Sequence, residues 1–202
     1  MSILKQLKHE NIVSLREYFI DFHRETAIYI IEYFQSDTLL DLLRKSKESS
    51  LDISTKNNIM RQIFKAITYL HSQNIIHRDL TMTNVLYSIK TGELKITDFG
   101  LAKTFVERQA FFSPVGKFKF NDPPEFQEKG IYNEKYDIWC AGLILMQLEM
   151  GCWASGKKIR ERFEIQTKEM DEEMKDFIKK ILDESEDKRM SAKEALDHKW
   201  LN

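Results

Sequence analysis

Two stretches decide the reading: Ile76-His77-Arg78-Asp79-Leu80-Thr81-Met82-Thr83-Asn84-Val85-Leu86 and, further on, Ile96-Thr97-Asp98-Phe99-Gly100. Short apolar runs of strand type lie around Val85–Tyr87 and Leu94–Ile96, and Thr91-Gly92 reads as the turn between them. Asp79, Asn84 and Asp98 therefore fall on loops at the ends of short strands. Taken singly, Asp79 and Asp98 are two solvated carboxylates, and Asp-Phe-Gly is a turn after a strand. The ordered set is what points to chemistry.

Upstream, Ile59, Ile63, Ala66, Ile67 and Leu70 repeat at helical spacing, which predicts a helix from about Ser54 to His71 with Ser54 or Thr55 as its cap. A polar loop at 46–52 precedes it, and Leu39, Leu40, Leu42 and Leu43 predict a short helix before that. Strands are expected at Ile12–Ile20 and Thr26–Tyr33, and Ile3, Leu4 and Leu7 have helical spacing. Downstream, residues 101–135 read as irregular, a length that usually marks a functional loop. A strongly apolar helix over Asp137–Met150 is expected to be central. Helices over Glu172–Leu182 and Ser191–His198 close the chain, Ser191 and Glu194 forming a capping-box pattern. The fold class is α+β, mixed at the start and mainly helical after it. Strand pairs this small must lean on helices.

A chain of 202 residues, 42% hydrophobic and 31% charged, can bury one good core in a soluble protein. Its net charge of -1 gives no reason to expect nucleic acid or a membrane surface as a partner. Cys140 and Cys152 match neither a metal spacing nor a disulfide framework, and read as reduced, buried thiols. No apolar run is long enough to span a bilayer, and Met1–His9 is not a signal peptide. A cytoplasmic or nuclear location follows by default.

The two quoted stretches resemble the eukaryotic protein kinase family: His-Arg-Asp, an Asn five residues after the Asp, then Asp-Phe-Gly. The resemblance continues along the chain. Lys8-His9-Glu10-Asn11-Ile12-Val13 looks like the segment after the family's C helix, Pro123-Pro124-Glu125 stands where Ala-Pro-Glu is usual, Asp137-Ile138-Trp139 looks like the start of its F helix, and Arg189 sits where a late arginine is kept. The implied architecture is a C-lobe at 34–202 and an N-lobe remnant at 1–33, the latter holding the end of the C helix and the fourth and fifth strands of the family fold. The resemblance implies ATP and Mg2+ as cofactors. It casts Asp79 as the acceptor of the attacking hydroxyl's proton and Asn84 and Asp98 as magnesium ligands. Ile31 is the implied gatekeeper, Glu32 and Tyr33 the hinge, and Leu86 the floor under adenine. His77 and Phe99 are implied packing residues, stacked with Leu4 and Leu15 in a spine anchored on Asp137. Glu125 and Arg189 are an expected buried ion pair.

The sequence also departs from the family. The Gly-rich loop and the ATP-contacting lysine of the family would lie upstream of Met1, with the C-helix glutamate just before it, so the chain reads as N-terminally truncated. Lys5 and Lys8 read as a surface face rather than as replacements. Two N-lobe strands alone would expose an apolar face, which a partner chain could cover. Thr81 and Lys117 occupy the positions of the family's catalytic-loop lysine and a later threonine. Either Lys117 reaches Asp79 in place of that lysine, or the two changes are independent marks of a degraded site. The stretch Asn121-Asp122-Pro123-Pro124-Glu125 is one residue longer than usual. Ser113 and Thr104 are candidate phosphosites, and Arg78 is the natural partner of an added phosphate.

Two functions remain open at this point. One is a kinase acting on a protein substrate, the lack of Ala-Ala-Arg after the catalytic loop leaning toward serine and threonine. The other is a catalytically impaired pseudokinase or C-lobe that acts as a protein-binding module.

Overall fold

The computed structural model describes residues 3–46, 51–105, 111–112, 122–151 and 170–202. A 3-10 turn at Ile3–Gln6 leads into a two-stranded antiparallel sheet of β1 (Leu15–Asp21) and β2 (Thr26–Ile31). Next come β3 (Asp37–Thr38), α1 (Leu39–Lys45) and the long helix α2 (Ile53–Ser72). The strands β4 (Ile75–Ile76), β5 (Val85–Ser88), β6 (Glu93–Ile96) and β7 (Lys103–Thr104) carry the loops of interest. Here β5 pairs with both β3 and β6, and β4 pairs with β7. Strand β8 (Phe111–Phe112) pairs with β9 (Ile131–Tyr132), and helix α3 (Pro124–Lys129) lies between them in sequence. Helices α4 (Lys135–Met150), α5 (Glu172–Ile181) and α6 (Ala192–Leu196), with a last 3-10 turn at Lys199–Leu201, complete the order.

Helix α4 is the axis of the molecule, as its composition predicts. Every residue from Tyr136 to Leu148 is buried. A helix apolar on all sides belongs inside a core. Helix α2 packs on α4, and its Ile59, Ile63, Phe64 and Ile67 are each at most 1% exposed. The buried Lys56 of α2 bonds Glu149 of α4 at 2.6 Å, so its charge is compensated. On another side α5 ends against α4, where Gly142 admits the side chain of Leu182.

Several expectations are corrected. The first strand begins at Leu15, not Ile12. Ile12 is drawn instead into a parallel bridge with Ile96: the Ile96 amide donates to Asn11 O at 2.8 Å and the Val13 amide to Ile96 O at 3.0 Å. The second strand stops at Ile31, short of Tyr33. The cap of α2 is Asp52 rather than Ser54 or Thr55, because its carboxylate accepts from the Thr55 amide at 2.9 Å and from both hydroxyls. Residues 101–135, expected to be irregular, contain α3 and three short strands; Pro124 at the helix start and Gly130 at φ 64 as its left-handed stop frame α3. The last helix stops at Leu196, short of His198, and a 3-10 turn follows it; its Ser191–Glu194 capping box is present.

The β1–β2 sheet is the least buried part of the fold. All six β2 residues are exposed, and Tyr18, Phe19, Ile20, Ile28 and Tyr29 present apolar surface to solvent. No described helix is long and apolar enough to cross a membrane. Cys140 is a buried thiol, and Cys152 lies outside the described residues.

Candidate active site

The site is assembled on a buried carboxylate. Asp137, fully buried in the first turn of α4, accepts the His77 amide at 2.9 Å on Oδ2 and the Arg78 amide at 3.0 Å on Oδ1. His71, in the last turn of α2, adds a contact from Nε2 at 3.1 Å. Burial alone pushes the Asp137 carboxyl up, but the hydrogen bond and charge of His71, with the hydrogen bond from the His77 amide, hold it below its ordinary value. An ionised Asp137 thus clamps the loop by two successive amides. That clamp supports Arg78 at φ 66, a left-handed conformation costly for any residue with a Cβ.

His77 is 1% exposed and both its ring nitrogens are engaged. Thr97 O lies 3.0 Å from Nε2, and a carbonyl only accepts, so Nε2 carries the proton. Nδ1 then accepts from the Asp79 amide at 3.3 Å, which fits the neutral tautomer. Burial lowers the His77 pKa, against the pull of Asp137 and the other nearby acids. Its ring meets Phe99 edge to face, with centroids 4.8 Å apart. A neutral, fully engaged imidazole holds the loops together and is not available as a base.

Asn84 sits on the far side of the same loop. Its Nδ2 donates to Asp79 O at 2.8 Å and to Asp79 Oδ2 at 3.0 Å. Its backbone carbonyl accepts from the Thr97 amide at 2.9 Å, the residue before Asp98. Asp79, Asn84 and the approach to Asp98 are therefore one hydrogen-bonded unit. Asp98 itself has φ 61, and its Oδ1 accepts from the Gly100 amide at 3.2 Å. Thr81 and Thr83 share a hydroxyl bond of 2.8 Å beside Asp79.

Ile3, Leu4, Val13, Ile31, Asp98 and Phe99 are among the residues around a hollow of about 420 Å³. Glu32, Tyr33 and Leu86 are not among its described lining residues. Tyr33 is 88% exposed. Glu32 pairs with Lys95 at 3.0 Å and accepts the Ser14 amide at 2.7 Å. Burial alone would raise Glu32; Lys95 and the Ser14 amide outweigh it and lower its pKa. Leu86 lies half-buried in β5, paired with Thr38 and Lys95. A second cavity of about 170 Å³ lies behind the loop, touched by Leu40, Asp79, Thr81, Asp122, Tyr136 and Cys140.

The Arg78 Nε donates to Leu101 O at 2.6 Å and its Nη1 to the Tyr132 hydroxyl at 2.5 Å. Glu125 and Arg189 form the expected pair, at 2.7 and 2.8 Å. Lys117 and Ser113 lie outside the described residues, and Thr104 is exposed in β7. His71, Lys95, Tyr132 and the Tyr136–Asp122 bond of 2.5 Å escaped the sequence reading. Of these only His71 carried a signal, as a polar residue at the end of an apolar helix face.

The protein kinase domain model matches residues 1–201 of the chain. Calcium-dependent protein kinase 4 of Plasmodium falciparum is 32% identical over 100% of this chain and 40% of its own length. Serine/threonine-protein kinase WNK8 of Arabidopsis thaliana is 38% identical over 72% of this chain and 25% of its own. Serine/threonine-protein kinase pkpA of Phycomyces blakesleeanus is 31% identical over 100% and 34%. The chain thus spans well under half the length of these curated relatives.

Proposed function

The chain belongs to the protein kinase family, and on that premise we propose that it transfers the γ-phosphoryl group of ATP to serine or threonine hydroxyls of a protein substrate. The carrying observation is the Asn84 side chain, whose amide nitrogen is committed to Asp79. That bond orients the Asp79 carboxylate and leaves the Asn84 Oδ1 as the ligand atom of the group. Phosphoryl transfer asks mainly for such positioning and for neutralised charge. Asp79 receives the proton of the attacking hydroxyl as its oxygen bonds phosphorus and ADP departs.

Asn84 Oδ1 and the Asp98 carboxylate are hard oxygen donors on one hydrogen-bonded unit, a set that suits Mg2+. When bound, that ion would neutralise charge on the phosphates. Ile31 borders the hollow beside Asp98, and Glu32, Tyr33 and Leu86 complete the nucleotide side in this reading. In this reading Thr81 and Lys117 are an exchanged pair, Lys117 supplying the ammonium of the family's lysine. Residues 1–33 belong to the N-lobe and 34–202 to the C-lobe, and the setting is the cytoplasm or nucleus. The names of the WNK8 and pkpA relatives support the serine/threonine preference.

The exposed β1–β2 sheet favours a second reading, a module that binds a partner chain without turnover. An assay with labelled ATP, magnesium and a serine- and threonine-rich protein separates the two. Wild type should label the protein, and Asp79→Asn should lose roughly 10²-fold or more of the signal. Equal signal from both proteins means a contaminating kinase and removes the catalytic reading.

A further inference from the structure

We propose that Tyr132 is a positioning residue for the catalytic loop, holding Asp79 in place through Arg78. The kinetic arm of this inference rests on the phosphoryl-transfer reading; the structural arm does not.

Arg78 immediately precedes Asp79 and sits at φ 66, so its hold on the surroundings decides where the next side chain points. Its backbone is fixed by Asp137. Its guanidinium is fixed by two directed bonds, to Leu101 O at 2.6 Å and to the Tyr132 hydroxyl at 2.5 Å. The same guanidinium lies 5.2 Å from the centroid of the Tyr132 ring. Hydrogen bonds from an ionised donor are short and directional, and the ring face adds a cation–π contact.

Tyr132 is a rigid anchor. It is 2% exposed and packed edge to face against Phe126 and Tyr136, with centroids 5.7 and 6.1 Å away. It is 54 residues from Arg78 in sequence, so the bond ties together two distant parts of the chain. The backbone of Tyr132 pairs with Phe111. Arg78 therefore joins three segments at one point: Leu101, just past Asp98; Tyr132, registered on the 111–112 strand; and Asp79 itself. Ring packing alone would be met by phenylalanine. The hydroxyl is the separable part, and its bond to Arg78 is what a positioning role requires.

Tyr132→Phe keeps the ring and removes the hydroxyl. With magnesium ATP and the same protein substrate, kcat should fall roughly tenfold or more, the scale of one charge-assisted hydrogen bond. KM for ATP should change by less than about twofold, because no ATP contact is touched. In an Arg78→Met background, which has no donor for the hydroxyl, Tyr132→Phe should cause little further loss. Hydrogen exchange should quicken at amides 77–84 in Tyr132→Phe and stay unchanged in α5. If wild type shows no turnover, the functional reading fails and exchange alone decides: quickening at 77–84 supports the proposal. Unchanged exchange there, quickening in α5 as well, or kcat losses that multiply independently in the double variant overturns it.

Discussion

Arg189 grips Glu125 through two parallel bonds, Nη1 to Oε1 at 2.7 Å and Nη2 to Oε2 at 2.8 Å, with both residues buried. The guanidinium lies 4.9 Å from the Trp139 ring centroid, and two further donors reach Asp183 O and Lys135 O. The charge is paired, four of the five N–H donors have partners and the plane lies by an aromatic ring, which is what a buried pair needs to offset desolvation. The pair fastens α3 to the chain before α6, two segments 64 residues apart.

Arg189→Met leaves Glu125 buried without its cation. Loss of one partner of such a pair costs about 3–5 kcal/mol. Urea unfolding should show that drop. Replacing both residues with apolar side chains should cost less than the single change, because no charge is stranded. A single variant as stable as wild type would show the pair to be unimportant.

The neutral His77 gives a pH dependence with a definite sign. Its folded pKa lies below the ordinary 6.5 because of burial. As pH falls through 6.5 the unfolded chain takes up a proton that the folded chain refuses. Its contribution is therefore fully present above that pH and is lost below it, at up to about 1.4 kcal/mol per pH unit. The half-buried His9 is lowered in the same sense, again chiefly by burial. Asp137, also lowered, acts only in the acid range below its ordinary 3.8. Stability measured from pH 7.5 down to pH 5.5 should decline, and His77→Phe should flatten the decline while keeping the ring against Phe99. A decline of unchanged steepness in that variant would assign it to other groups.

These contacts show why the sequence was only partly readable. The helix over α2 and the core helix α4 were legible because apolar spacing states which face is buried. Glu125 and Arg189 were legible through resemblance. The cap at Asp52 was missed by two residues because Ser54 and Thr55 are equally good caps in isolation, and only the folded geometry shows all three sharing one carboxylate. Ile12 looked like strand and is instead buried beside Ile96, a partner 84 positions away that no local pattern names. Tyr132 was unreadable for the same reason: its function depends on a distant guanidinium.

Gly142 marks a close approach of α4 to the end of α5. A Cβ there would lie 2.6 Å from Leu182 Cδ2 and 2.7 Å from its Cγ. The Cγ is not a free end that can swing aside, so Gly142→Ala forces a shift against the gain from helix propensity. Overpacking of this kind costs about 1–3 kcal/mol. The variant should unfold at lower denaturant, and Leu182→Ala in the same chain should recover part of the loss. Equal stability of Gly142→Ala and wild type would mean that Leu182 repacks without strain.

The β1–β2 sheet makes the last prediction. Phe19 and Ile28 are cross-strand partners, 53% and 59% exposed, and Tyr18 and Tyr29 are the next pair along. Successive pairs point to opposite faces, so exposed apolar side chains stand on both sides of this sheet; such surface favours association, and exposed strand edges favour it further. The chain should bind an apolar dye and elute from size exclusion with concentration-dependent broadening. Phe19→Lys with Ile28→Glu puts opposite charges across one strand pair, which keeps the pairing favourable. Because neither side chain is buried, stability should move by no more than about 0.5 kcal/mol. Dye binding and association should fall sharply. A wild-type chain that runs as a clean monomer and binds no dye would show that this surface is innocuous, and would remove the support it lends to a partner-binding role.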